Sequence, residues 1–188
     1  MIMDQTTKDA WNTLVEEYAL DMENFIQGWS YKGCSEFKLG RVQVDWSPRR
    51  RASRGGIYRG GKYPFCAPGI NIAINHLIPT YGIYRAYEYK SFDADPVIGG
   101  FYSDNMEDRL IMVIAHEMAH AIQRWHEYYC QIPYSKPHGV EFKKYYAILR
   151  QVYVNPNLKD QTKLKLSYAK ANNAIVAETF GEKVYARN

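Results

Sequence analysis

Cysteine is scarce in this chain of 188 residues: Cys34, Cys66 and Cys130 are odd in number and widely spaced. No C-x-x-C occurs, which excludes a zinc ribbon, and the spacing suits free thiols in a reducing compartment. Long apolar runs are also missing, so no stretch approaches a transmembrane helix. Met1 to Ala10 carries Asp4, Gln5 and Asp9 but no apolar core, which fits neither a signal peptide nor a membrane anchor. No internal repeat or low-complexity linker appears. Acidic residues are absent between Asp45 and Glu88. Histidine occurs only five times, so each imidazole can be weighed individually.

Apolar content of 46% and charged content of 23% are ordinary for a soluble globular chain, and the length suits a single domain with a real core. The net charge of +4 is mild, so its distribution matters more than its total. Tyrosine, at 17 residues, is abundant and favours half-buried surfaces and stacking contacts.

The chain is organised around Asp104 to Tyr129, which the periodicity predicts to be one long buried helix. Asp104 precedes Glu107 at capping-box spacing. Leu110, Ile111, Ile114, Met118, Ala121, Ile122 and Trp125 follow at helical intervals. Within it stands His116-Glu117-Met118-Ala119-His120. Four residues make just over one turn, so the two histidines share a side, about 6 Å apart along the axis. Imidazoles on adjacent turns can grip one tetrahedral zinc ion, with Glu117 placed to reach a water in the open position.

Elsewhere the order is α+β. An amphipathic helix is expected over about 7–27, with Trp11, Leu14, Val15, Tyr18, Met22, Phe25 and Ile26 inward. Strands are expected over 36–46, over 57–63 with Gly60-Gly61 as a turn or bulge, and over 70–75. From His76 to Ser103 prolines and glycines punctuate the chain, and Tyr81 to Tyr89 alternates as a possible strand or hairpin. A second helix is expected over 139–154, burying Phe142, Tyr145, Tyr146, Leu149 and Val152, with Asn155-Pro156-Asn157 ending it. The core therefore spans about 36–154, and 155–188 forms an extension without a ribbon, its first half rich in lysine.

A catalytic zinc needs three protein ligands and an open corner. Of the remaining histidines, His126 lies about 240° round the helix from His120 and is poorly aimed, and His76 closes the third strand. His138 starts the second helix after an eighteen-residue step, long enough for the chain to turn and come back. It is the favoured third ligand. Glu141 is its chief rival, with Glu127 and Glu178 behind.

His116-Glu117-Met118-Ala119-His120-Ala121 followed by His138-Gly139-Val140-Glu141-Phe142 resembles the SprT-like metalloprotease domain, including the Spartan type. In that family the second histidine is commonly followed by Ala, and an H-G-x-x-F element supplies the third ligand. Val44-Asp45-Trp46-Ser47-Pro48-Arg49, then Gly55-Gly56, then Ile72 to Leu77 resemble its strand, arginine-bearing turn, glycine and next strand. The likeness covers about 42–149, although Leu77 to Asp104 is longer than usual. It implies a zincin-like fold, with a small antiparallel or mixed sheet packed on the H-E-x-x-H helix and further helices. It also implies one Zn2+ per chain, held by His116, His120 and His138, with Glu117 as catalytic base. The activity implied is that of a DNA-associated endopeptidase.

Charge placement points the same way. Arg49, Arg50, Arg51, Arg54, Arg59 and Lys62 cluster in the acid-free stretch beside Tyr58 and Tyr63. Cations interleaved with aromatics suit a single-stranded or damaged DNA partner, with bases stacked and phosphates neutralised. A flexible solvated turn is the plainer account. The lysines from Lys159 to Lys170 fit a solvated face. A free sheet edge at 70–75 could add a protein substrate as an extra strand. The expected setting is cytoplasmic, or nucleoid or nuclear, with no membrane partner. A non-catalytic zinc-stabilised DNA-binding or inhibitor protein is the competing expectation.

Overall fold

A computed structural model describes residues 4–26, 36–47, 52–60, 63–74 and 106–159 of the chain. Helix α1, Gln5–Ile26, starts where Asp4 accepts the Thr7 amide at 2.8 Å and the Thr7 hydroxyl at 3.0 Å. Its buried stripe is Val15, Ala19, Met22 and Ile26, at intervals of four, three and four, with Trp11, Leu14, Tyr18 and Phe25 half-buried alongside. Glu23 is buried on the same face because its carboxylate accepts the Leu39 amide at 3.1 Å. The Trp46 indole donates to Asn12 at 3.1 Å. These two bonds seat α1 beside the first strand.

The sheet has three strands: β1, Arg41–Asp45; β2, Arg54–Gly60; and β3, Tyr63–Ala73. Their order is β1-β3-β2, with β1 parallel and β2 antiparallel to β3, which makes the fold α+β with a small mixed sheet. Three expectations change here. The second strand begins at Arg54, and Tyr63 opens the third strand instead of closing the second. Gly60 pairs with Tyr63 at the hairpin end, past an irregularity after Tyr58. The expected free edge at 70–75 is interior over its described part, because Ile70 pairs with both Val42 and Gly55 and Asn71 with both Gln43 and Arg54. Ile70, Asn71, Ile72 and Ala73 are all buried, as in a strand covered on both faces. Among the described residues the outer strands are β1 and β2.

Helix α2, Met106–Tyr129, packs across β2 and β3 and against α1. All seven apolar positions expected to face inward are buried. Each large one contributes about 1.5–3 kcal/mol relative to exposure. Asp104, the expected cap, lies outside the described residues. Glu107 instead joins elements, accepting from the Tyr18 hydroxyl and the Lys159 ammonium. Asp108 accepts the Lys159 amide at 2.7 Å.

Helix α3, Val140–Leu149, runs on as a π-helical stretch, Arg150–Val154, and a last turn, Asn155–Asn157. Phe142, Tyr145, Tyr146 and Leu149 are buried as expected, but Val152 is only half-buried while Tyr153 and Val154 are buried. The wider π turn shifts the phase of the inward face. Tyr153 then donates to Asp21 at 2.5 Å, tying this helix to α1. Chain direction changes at Leu158, which is extended.

Cys66 is a free thiol, but Cys130 is disulfide-bonded, which corrects the expectation of three free thiols; its partner lies outside the described residues. No described helix is long and apolar enough to cross a membrane. The strand or hairpin expected at 81–89 and all of the tail beyond Lys159 lie outside the described residues.

Candidate metal centre

His116 and His120 project from adjacent turns of α2, their rings 5.0 Å apart between centroids. His138 comes to them from the turn before α3. Its Nε2 lies 3.0 Å from Nε2 of His116 and 3.1 Å from Nε2 of His120. One ligand atom from each residue lies within 4.8 Å of the other two, so the three could hold a metal ion. A tetrahedral ion bound at zinc–imidazole distances would space its nitrogens about 3.3 Å apart. The observed pairs are close to that spacing. Three imidazole nitrogens brought this close together also suit a borderline divalent cation, whereas a single Nε2 cannot serve both neighbours well as a hydrogen-bond partner.

The rings are set by packing. Phe142, fully buried on the first turn of α3, stacks on His120 at 4.2 Å and touches His116 at 4.9 Å and His138 at 4.8 Å. Tyr146, one turn later, lies 5.1 Å from His116. His138 has φ of 58°, a left-handed conformation that an L residue adopts at some cost. Gly139 follows in extended backbone, its amide bonded to the Lys136 carbonyl at 2.9 Å, and α3 starts at Val140.

Burial, followed by repulsion from His116 and His138, pushes the His120 imidazole down to about 3. That keeps its lone pair available near neutral pH. Glu117 is buried, with 7% of its surface exposed. Its backbone meets β2 directly: a Cβ added to Gly55 would lie 1.8 Å from the Glu117 carbonyl oxygen. Glycine there lets the strand lie against the helix turn that bears the glutamate.

The rival ligands are elsewhere. Glu141 pairs with Lys144 at 3.4 Å. Glu127 accepts from Arg124, from Gln123 at 3.1 Å and from the Ser135 amide at 2.9 Å. His126 is buried against Trp125 and Tyr145, and burial pushes its imidazole down to about 4. His76 and Glu178 lie outside the described residues.

Of the basic set, only Arg54 has a described side chain, and it is exposed at the start of β2. Arg59 contributes its backbone to that strand, while Arg49, Arg50, Arg51 and Lys62 lie outside the described residues. Tyr58, expected beside these cations, has the Arg41 guanidinium 5.2 Å above its ring.

Gln123 was missed in the sequence, although it is buried and bonded to the Ser135 carbonyl at 3.0 Å. The signal was there. His116, His120, Gln123 and Glu127 recur at intervals of four, three and four, one polar line along α2.

No curated protein and no solved structure matches the chain. Residues 97–164 match the family model of the SprT-like family, so the segment carrying His116, Glu117, His120 and His138 is similar to that family, in keeping with the resemblance seen in the sequence.

Proposed function

We propose that this chain is a zinc-dependent endopeptidase that associates with DNA and hydrolyses peptide bonds in DNA-bound proteins. The observation that carries the reading is the meeting of the His138 Nε2 with those of His116 and His120 at 3.0 and 3.1 Å. The SprT-like match over residues 97–164 supports metalloprotease-related chemistry and a metal cofactor.

In this reading neutral His116, His120 and His138 hold the ion through Nε2. Bound zinc would supply Lewis-acid polarisation of the scissile carbonyl and a lowered water pKa. Glu117, next to His116 and about 100° round α2, takes a proton from water as its oxygen attacks the carbonyl carbon. It then passes that proton to the amine as the C–N bond breaks. Phe142 keeps one wall of the site apolar. The acid-free, arginine-rich stretch between Asp45 and Glu88 supports the DNA association, since cations without neighbouring carboxylates favour a polyphosphate.

The test is cleavage of a DNA-bound protein with and without single-stranded DNA, for wild type and Glu117→Gln. The expected result is DNA-stimulated cleavage, reduced about 100- to 10,000-fold in the variant with zinc content unchanged. Equal cleavage by Glu117→Gln would remove the mechanism. An inactive wild type that binds DNA and one zinc would favour the non-catalytic DNA-binding or inhibitor role. Cleavage indifferent to DNA and salt would leave a peptidase with a dedicated protein substrate.

A further inference from the structure

Gln123 is 1% exposed and stands one turn beyond His120 on the same face of α2. Its amide nitrogen is directed at three oxygens: Glu127 Oε1 at 3.1 Å, the Ser135 carbonyl at 3.0 Å and the Lys136 carbonyl at 3.5 Å. Three acceptors at one end identify that end as the NH2 group, so the other end is the carbonyl oxygen. Glu127 reinforces the tie by accepting the Ser135 amide at 2.9 Å. The segment thus fastened to α2 is Ser135–Lys136, and the Gly139 amide bonds back to Lys136 at 2.9 Å, closing the turn that carries His138.

The carbonyl oxygen of Gln123 is buried and finds no hydrogen-bond partner at ordinary distance among the described residues. Side chains on an α-helix lean toward its N-terminus, so the Gln123 side chain covers the turn that bears His120, three residues earlier. His120 presents Nε2 to His138 at 3.1 Å, which leaves Nδ1 as the ring atom that needs an acceptor. A metal-binding imidazole commonly gives its second N–H to a carbonyl or carboxylate, which fixes both tautomer and ring orientation.

We propose that Gln123 is a positioning residue of the metal centre: its carbonyl oxygen receives Nδ1–H of His120 while its amide holds the segment that delivers His138. One side chain then sets two ligands that arrive from different elements. This rests on the reading of the three histidines as metal ligands.

The test uses the full chain, with zinc affinity measured by competition against a chromophoric chelator and coordination by the visible spectrum of the cobalt(II) form. Gln123→Met, of similar length but unable to make these bonds, should bind zinc about 10- to 100-fold more weakly and change the cobalt bands. Glu127→Ala, which loosens the loop but spares the His120 contact, should cost less. A wild-type zinc affinity and cobalt spectrum in Gln123→Met would overturn the proposal, as would equal losses in the two variants. Nitrogen-15 imidazole spectra of zinc-loaded wild type give a reading independent of any variant's folding. His120 should show a slowly exchanging Nδ1–H, and a freely exchanging one would overturn the assignment. If wild type binds neither zinc nor cobalt, the metal centre itself fails. If wild type binds and Gln123→Met matches it, only the role of Gln123 fails.

Discussion

His116 and His120 reach the candidate metal centre by a different route from His138. The first two need only a helix: spacing places them on one side, and a buried apolar stripe from Leu110 to Trp125 holds that helix in place. His138 lies beyond an irregular segment, is exposed, and has a left-handed backbone. Tertiary contacts place it, namely Phe142 against its ring and the bonds of Gln123 and Glu127 to Ser135, three residues upstream. Local periodicity fixes one pair of imidazoles, and long-range packing fixes the third.

The helix half of that contrast breaks most severely at Gly55. Its Cβ would meet backbone, the carbonyl of Glu117 at 1.8 Å, so neither side can yield by rotating a side chain. Gly55→Ala should destabilise the fold by about 3 kcal/mol or more, toward the upper end of overpacking costs. Gly56→Ala is the control, because its Cβ would find only Arg124 Cγ at 4.0 Å, an ordinary contact. Urea denaturation of the pair measures the difference. Similar midpoints would mean that the close approach of β2 to Glu117 imposes no constraint.

A smaller effect sharpens the contrast within α2, where His126 is a packing residue six positions after His120. Burial holds its imidazole at about 4, so between about pH 6.5 and pH 4 the unfolded chain binds a proton that the folded chain does not. Its contribution is therefore complete above about pH 6.5 and is lost as pH falls through that window, by up to about 3 kcal/mol. Urea denaturation in a His120→Ala background removes the other depressed imidazole. There, His126→Phe should flatten the pH dependence, and an unchanged slope would show that His126 titrates normally.

These differences also explain what could be read in advance. The α1 stripe, the α2 stripe and the histidine pair were legible because each depends on residues one turn apart. The role of β3 was not, since Ile70, Ile72 and Ile74 alternate with Asn71 and Ala73 like a half-buried strand. Asn71 is buried only because β1 and β2 flank that strand and helices pack against the sheet. Val152 was misplaced because periodicity assumes an unbroken α-helix, and a π turn leaves no clear mark in composition. Gln123 was overlooked for a related reason: its partners, Ser135 and Lys136, are twelve and thirteen residues away. His138 was favoured on chain length and resemblance, while its backbone conformation had no sequence signal, because histidine rarely takes a positive φ.

That conformation allows the loop half of the comparison to be tested by the smallest effect, one whose sign runs against the loss of function. Both His138→Ala and His138→Gly remove the ring, its contact with Phe142 and a ligand nitrogen, so zinc affinity should fall equally in the two. Only the alanine variant keeps a side chain at φ near 58°. The glycine variant should therefore be the more stable metal-free protein, by roughly 1 kcal/mol, the cost an L residue pays for the left-handed region. The gain is partly offset by the greater freedom of glycine in the unfolded chain. Melting both variants in the presence of chelator measures the gap. If alanine proves as stable as glycine, the turn at 138 carries no strain and its geometry is simply what the loop prefers. If glycine is more stable, the fold accepts a backbone cost to bring a third imidazole to the pair on α2, a cost that no packing role for an exposed histidine would require.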